Sequence, residues 1–340
     1  MSDAQSAPVR APVGSVPAGR AGGLPEDKWR LAELLFWLVP VAAFFLLPGY
    51  LVLGSQILIV GLFAVSLDLI LGYAGIVSLG HAAFFGVGAY TAGLLAVHGW
   101  GEPLTGLLAA AVVSAVAGFL VSFLVVRGND LTRLMVTLGI GLMLWEAANK
   151  AAFVTGGVDG LSGVEMWKVL GLFKFDLAGK TAFVYSLVVV FLLFVVVRRV
   201  VSSPFGLQLR GIKEGGKRMP AIGAPVAHRL RAIFTMAAAL AGVAGALLAQ
   251  TTQFVGLDTL GFPRSAELMI MLVLGGTGRL YGGLVGAALF MIAQDWLSGI
   301  NPVYWQLWIG LLLVVFVLFA RGGILGGIET LRERMRRKGR

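Results

Sequence analysis

The sequence predicts an all-α polytopic membrane protein of about ten transmembrane helices (eight or nine on narrower counts), with a glycine-rich broken or re-entrant pair among them. Three observations carry this prediction. Of 340 residues, 58% are hydrophobic and only 13% charged, against about 25% charged in soluble domains. Glycine occurs 48 times, roughly twice the usual share of about 7%, as in bundles whose helix backbones approach closely. Apolar runs of bilayer-spanning length recur along the chain.

Residues 1–30, rich in Ala, Pro, Gly and Ser, lack the apolar core of a secretory signal. They read as a disordered cytoplasmic tail. Residues 31–328 form the membrane domain, with apolar runs at about 31–47, 51–71, 76–97, 104–126, 131–149, 181–197, 231–252, 266–276, 283–297 and 304–320. A spanning helix needs about 20 residues. The pair 266–276 and 283–297 is shorter, and GGTGRLYGG (Gly275–Gly283) separates its members, placing Gly275, Gly276, Gly278, Gly282 and Gly283 at a break. Short, interrupted apolar segments are tolerated in a membrane only where protein or water covers the irregular backbone. Counting the pair as two gives ten helices; as one, nine.

The formal charge is +10, but its distribution excludes a nucleic-acid patch. Between Arg198 and Arg231 lie eight basic residues against the single acid Glu214, and the end from Arg321 holds seven against Glu329 and Glu333. The positive-inside rule makes 198–230 a cytoplasmic loop and 329–340 a basic cytoplasmic tail. The mixed-charge stretch 150–180 fits the outer side. Both termini then lie inside, which favours ten crossings.

Sequence chemistry points away from catalysis. Cysteine is absent. His81, His98 and His228 are scattered in no metal-ligand spacing. Ala178–Thr181 (AGKT) ends like a phosphate-binding loop, but Lys174 stands where the motif needs glycine. No catalytic residue, metal site or bound cofactor is expected. Asp68, Glu146, Glu267 and Asp295 are the acids in or near apolar runs, and intramembrane carboxylates are functional candidates by default. All four fall toward segment ends. The most informative stretch is GYAGIVSLGHAAFFGVGAY (Gly72–Tyr90), where Gly72, Gly75, Gly80, Gly86 and Gly88 flank Ser78 and His81. Such residues either pack helices closely or let a helix unwind beside a solute path. Both readings stand at this point, with Asp68 as a neighbour of the stretch.

Four stretches together resemble one family. Phe63–Leu95 (FAVSLDLILGYAGIVSLGHAAFFGVGAYTAGLL) is similar to the hallmark segment of branched-chain amino acid ABC importer permeases, M-type (LivM-like). Val136–Val164 looks like that subtype's following helix and outer loop. Ser203–Gly223 is similar to its cytoplasmic coupling segment, and Leu274–Leu289 to its glycine-rich break. The likeness runs from about 31 to 328.

This resemblance implies a membrane-spanning subunit, not an enzyme, that forms the path for leucine, isoleucine and valine. Implied partners are a second homologous permease, two ABC ATPase subunits, an extracytoplasmic solute-binding protein, the small-molecule substrate and the lipid bilayer. The implied location is a bacterial plasma (inner) membrane. Urea and amide importer permeases share the framework, and an ion-coupled secondary transporter is the reading from a different class. The coupling segment implies ATPase contact through Ser203, Pro204, Phe205, Gly206, Arg210, Lys213 and Glu214. From the residues, Ser-Pro suits a helix start, basic residues are expected to face water, and Phe205, Leu207 and Leu209 are expected to enter a partner's groove. The sequence departs from the family after Glu214, where GGKRMP (Gly215–Pro220) disfavours helix, so a short helix ending near Glu214 is expected.

Overall fold

The computed structural model describes residues 31–169, 171, 173–176, 178–216, 218–302, 304–319, 323–324 and 326–327. The expected tails 1–30 and 329–340, and the basic residues Lys217 and Arg321, lie outside the described residues.

The described residues are helical, without strands, apart from isolated bridges Leu161–Val255 and Val169–Phe173. In chain order the helices are α1 (Leu31–Leu46), α2 (Leu51–Asp68), α3 (Ala82–Val97), α4 (Pro103–Arg127), α5 (Asp130–Lys150) and α6 (Ala152–Thr155). There follow α7 (Lys180–Ser202), α8 (Pro204–Gly215), α9 (Val226–Thr252), α10 (Phe262–Gly275), α11 (Gly282–Ile300) and α12 (Trp305–Phe319). Among the described residues, six helical segments are long and apolar enough to cross a membrane: Pro48–Tyr73, α4, α5, α7, α9 and α11. Glu33–Leu46 and α3 are shorter apolar helices. The chain is a polytopic α-helical membrane protein.

Local chemistry sets the helix starts. Pro103 and Pro204 occupy first-turn positions of α4 and α8, where a missing N–H costs nothing. The Asn129 side chain caps α5 by accepting from the Thr132 amide at 2.9 Å.

Helix α9 forms the centre, packed against α2, α3 and α4. Its core window is 72% buried, against 6% for α5 at the periphery. The reason lies in side-chain size. Ala237, Ala238, Ala241, Gly242, Ala244, Gly245 and Ala246 are buried around the helix, so neighbours approach to backbone contact. A β-carbon on Gly245 would collide with the Phe85 carbonyl of α3, and one on Gly242 with the Ser114 side chain of α4.

The structure moves several expected boundaries. The run 76–97 becomes helix only from Ala82, because residues 74–81 are irregular. Helix α7 continues through Arg198 and Arg199 to Ser202, so the expected loop 198–230 opens as helix. The physical reason is that Arg198 is held by Glu33 of α1 at 2.9 Å, with both side chains largely shielded. The 178–181 stretch is not all loop, since Lys180 and Thr181 open α7.

Candidate functional site at the glycine-rich breaks

Helix α2 ends in a π-helical turn, Leu69–Tyr73, a widened turn common at functional positions. The chain then runs irregularly to His81 before α3 begins. Irregular backbone inside an apolar protein needs internal partners, and this segment has them. The Ile76 amide donates to the Ile70 carbonyl at 2.8 Å. The Leu79 amide donates to Thr137 Oγ1 of α5 at 3.3 Å, and the Ala82 amide to Ser265 Oγ of α10 at 2.9 Å. Gly75 sits at φ +74°, a left-handed conformation that strains side-chain-bearing residues.

His81 is buried beside this break. Its Nε2 lies 2.9 Å from Ser66 Oγ of α2, and its ring stacks on Phe63 at 5.7 Å. Ser66 donates its hydroxyl hydrogen to either the Phe63 carbonyl, 2.6 Å away, or the imidazole. His81 Nδ1 and the Ser78 hydroxyl are buried without a hydrogen-bond partner among the described residues. His81 is therefore a hydrogen-bonding and stacking residue of the bundle.

The glycines divide into two groups. Gly80, Gly86 and Gly88 abut other elements: the Thr137 carbonyl of α5, Leu260, and the Gly242 backbone of α9, respectively. Gly72 and Gly75 instead face the polar end of α2 and the Lys213 side chain. Close packing and unwinding thus both occur within Gly72–Tyr90.

The second break, Gly275–Gly283, joins α10 to α11, which pack against each other. A β-carbon on Gly275 would fall on the Gly282 carbonyl and within 2.9 Å of the Gly286 amide. Gly282 is pressed on the Gly276 carbonyl, and Gly283 on the α2 backbone at Ala64 and Val65. Gly276 and Gly278 have φ of +110° and +76°. The Gly278 amide donates to Asp68 Oδ1 at 2.7 Å. This buried carboxylate ties the end of α2 to the second break.

Helix α8 lies against the same place. It runs Pro204–Gly215, in line with the short helix expected. Ser203 precedes it, its hydroxyl donating to the Val200 carbonyl at 2.6 Å. Gly206, Leu209 and Ile212, one turn apart, form the buried face. A β-carbon on Gly206 would strike the Val201 backbone. The expected partner-facing trio is thereby corrected. Leu209 is wholly buried in its own chain, Phe205 is half-buried under the Arg229 guanidinium at 5.4 Å, and only Leu207 is exposed. The basic residues Arg210 and Lys213 are exposed, as expected, while their charged ends reach back to the protein: Arg210 stands 5.3 Å from the Tyr73 ring centroid, and Lys213 Nζ donates to the Gly72 carbonyl at 2.7 Å. Glu214 is exposed.

Of the other acids, Glu146 pairs with Lys150 at 3.6 Å and Glu267 with Arg264 at 3.3 Å, while Asp295 is exposed. Sequence reading missed Ser66, Thr137 and Ser265. Their signal was present as hydroxyls in or beside apolar runs, a type that bonds across membrane helices.

The site thus combines two glycine breaks, joined through Asp68 and Gly278, with one short amphipathic helix seated on the first of them. A family profile described as "Branched-chain amino acid transport system / permease component" matches residues 50–318, well over half the chain. The chain belongs to this family. The permease is 29% identical over 328 residues to the high-affinity branched-chain amino acid transport system permease protein LivM of Salmonella typhimurium, covering 89% of this chain and 76% of that protein. It is 28% identical over 330 residues to LivM of Escherichia coli K12, with the same coverage. No solved structure matches the permease. The match contains both breaks and α8.

Proposed function

We propose that the chain is the membrane-spanning permease subunit of an ATP-driven importer, forming the translocation path for leucine, isoleucine and valine. ATP hydrolysis resides on two separate ATPase subunits. A second homologous permease completes the membrane unit, and an extracytoplasmic binding protein delivers the solute. The observation that carries this reading is α8, a short helix outside the spanning set, anchored by Leu209 and Ile212 while Pro204, Leu207 and Glu214 remain exposed. That exposed face is the docking surface for an ATPase.

The chain crosses the bacterial inner membrane ten times, through α1, α2, α3, α4, α5, α7, α9, α10, α11 and α12, with both termini inside. One feature supports this arrangement. The contacts of Asp68 with Gly278 and of Lys213 with Gly72 bring the end of α2, the α10–α11 connection and α8 to one side, which the basic residues around α8 make the cytoplasmic side. Helix α10 has 14 residues, about 21 Å at 1.5 Å per residue, short of the roughly 30 Å hydrocarbon core. Helices α3 and α10 span only together with the irregular segments before them, 74–81 and 253–261. The glycines, Ser78 and His81 of the first break lie beside the path.

Reconstitution into proteoliposomes with the ATPases, sister permease and binding protein encoded by neighbouring reading frames tests the proposal. Leucine uptake that requires both ATP and the binding protein is expected. Uptake by the purified chain without ATPase subunits would overturn it, and uptake of urea in place of leucine would reassign the substrate. Glu214→Lys should reduce leucine-stimulated ATP hydrolysis without changing thermal stability.

A further inference from the structure

Three elements meet in a polar knot: the end of α2 with its π-helical turn, α8, and the α10–α11 connection. Lys213 of α8 sends its ammonium back to the Gly72 carbonyl at 2.7 Å. Its stem lies across Gly75, where a β-carbon would stand 3.1 Å from Lys213 Cγ. One turn away on the same face of α8, Arg210 covers the Tyr73 ring at 5.3 Å. The π-helical turn Leu69–Tyr73 is therefore gripped twice by the same helix.

On the other side of that turn, Asp68 Oδ1 accepts from the Gly278 amide at 2.7 Å. Gly72 fills the space between the two bonds, since a β-carbon there would fall on both the Asp68 carboxylate and the Gly278 nitrogen. Asp68 is 1% exposed, and Oδ2 has no hydrogen-bond partner among the described residues. A helix end needs no carboxylate aimed at another segment's backbone. Here the carboxylate joins α2 to the second break, while Lys213 joins α8 to the first.

We propose that Lys213 and Asp68 are positioning residues for transport: they carry displacement of α8 into both breaks at once. The inference rests on the reading of α8 as the ATPase-facing helix. When α8 shifts, Lys213 draws on the Gly72 carbonyl, and the turn, held at its far side by Asp68, moves the α10–α11 connection with it. Without the ammonium, α8 remains seated by Gly206, Leu209 and Ile212, but its movement reaches the breaks only through apolar contact. Lys213, although exposed, thus directs its ammonium to its own chain, and the ATPase is met by Pro204, Leu207 and Glu214.

The test uses the assembled transporter with its ATPases in proteoliposomes, with leucine and its binding protein. Lys213→Met keeps the stem over Gly75 and removes the ammonium. It is expected to co-purify with the ATPases and to lower the ratio of leucine taken up to ATP hydrolysed by about tenfold, in keeping with loss of one charge-assisted hydrogen bond. Lys213→Arg, which keeps a charged donor, should restore most of that ratio. Asp68→Asn, which keeps an acceptor for Gly278, should lower it by roughly threefold.

A second readout follows the break itself. The chain has no native cysteine, so a single Ser78→Cys reports exposure of the first break to a thiol reagent. Labelling should rise when nucleotide is trapped in the parent and stay flat beside Lys213→Met. An unchanged uptake ratio with unchanged labelling in Lys213→Met overturns the inference and leaves the ATPase reading of α8 intact. Loss of the ATPases from Lys213→Met makes Lys213 an external contact, and failure of that variant to assemble makes it a structural one; either result overturns the inference. If the parent chain itself binds no ATPase, the underlying reading of α8 fails instead.

Discussion

The two glycine-rich breaks look alike in sequence and differ in what holds them. At Gly72–His81, backbone donors are satisfied by hydroxyls on other helices, Thr137 on α5 and Ser265 on α10. At Gly275–Gly283, the glycines are pressed on backbone of their own helix pair and of α2. A side-chain hydrogen bond contributes only about 0.5–1.5 kcal/mol net and can be exchanged for another partner. A backbone contact with no room for a methyl group is a steric constraint of a close-packed interior. Such constraints act at Gly72 and Gly80 of the first break and at Gly275, Gly282 and Gly283 of the second, so the second has less freedom to rearrange.

The largest effect is therefore expected at the second break. Gly275→Val places a branched side chain on the Gly282 carbonyl and the Gly286 amide. It should destabilise the folded chain by about 3 kcal/mol or more, the upper end for overpacking, read as a lowered melting temperature in detergent. A melt unchanged from the parent would show that the α10–α11 pair yields and would erase the contrast.

Ser265→Ala sharpens the comparison from the other side. It strips the Ala82 amide of its acceptor, and an unsatisfied buried donor costs about 1–3 kcal/mol. The loss should concentrate at the first break, as faster amide hydrogen exchange across 74–85 with protection of α11 retained. Uniformly faster exchange would mean that the two breaks are one cooperative unit.

The smallest effect is expected for Ser78→Ala. The Ser78 hydroxyl is buried without a partner among the described residues, so its removal breaks no hydrogen bond and should leave stability within about 0.5 kcal/mol. Reduced leucine uptake with an unchanged melt would give this hydroxyl a part in the path. A melt lowered by more than 1 kcal/mol, in the range of a lost hydrogen bond, would instead show that it is already engaged.

Much of this was legible in the residues. Apolar runs located α1, α2, α4, α5, α9, α11 and α12 to within a few positions, because bilayer thickness sets the length of an apolar helix. The end of α8 followed from Gly215–Pro220, where glycine and proline disfavour a helix interior. The unwinding before α3 could be raised but not decided, since glycines that pack and glycines that bend have the same composition. One part of the reading of α8 did not hold: Leu209, expected in a partner's groove, is buried in its own chain. Its basic residues Arg210 and Lys213 are exposed as expected, and their charged ends also reach Tyr73 and Gly72, more than 130 positions earlier in the chain.

What the sequence by itself determined was membrane residence, the approximate helix set, the family likeness and the places where regular helix ends. These rest on transfer of apolar side chains and on the local backbone limits of glycine and proline, both properties of short stretches. Only the tertiary structure decided that Asp68 belongs with Gly278, that His81 rests on Ser66 and Phe63, and that Lys213 reaches the first break. Those partners are set by which helices lie side by side. That arrangement is decided by small residues far apart in the chain, those of α9 and Gly283 against α2 among them, and not by one local pattern.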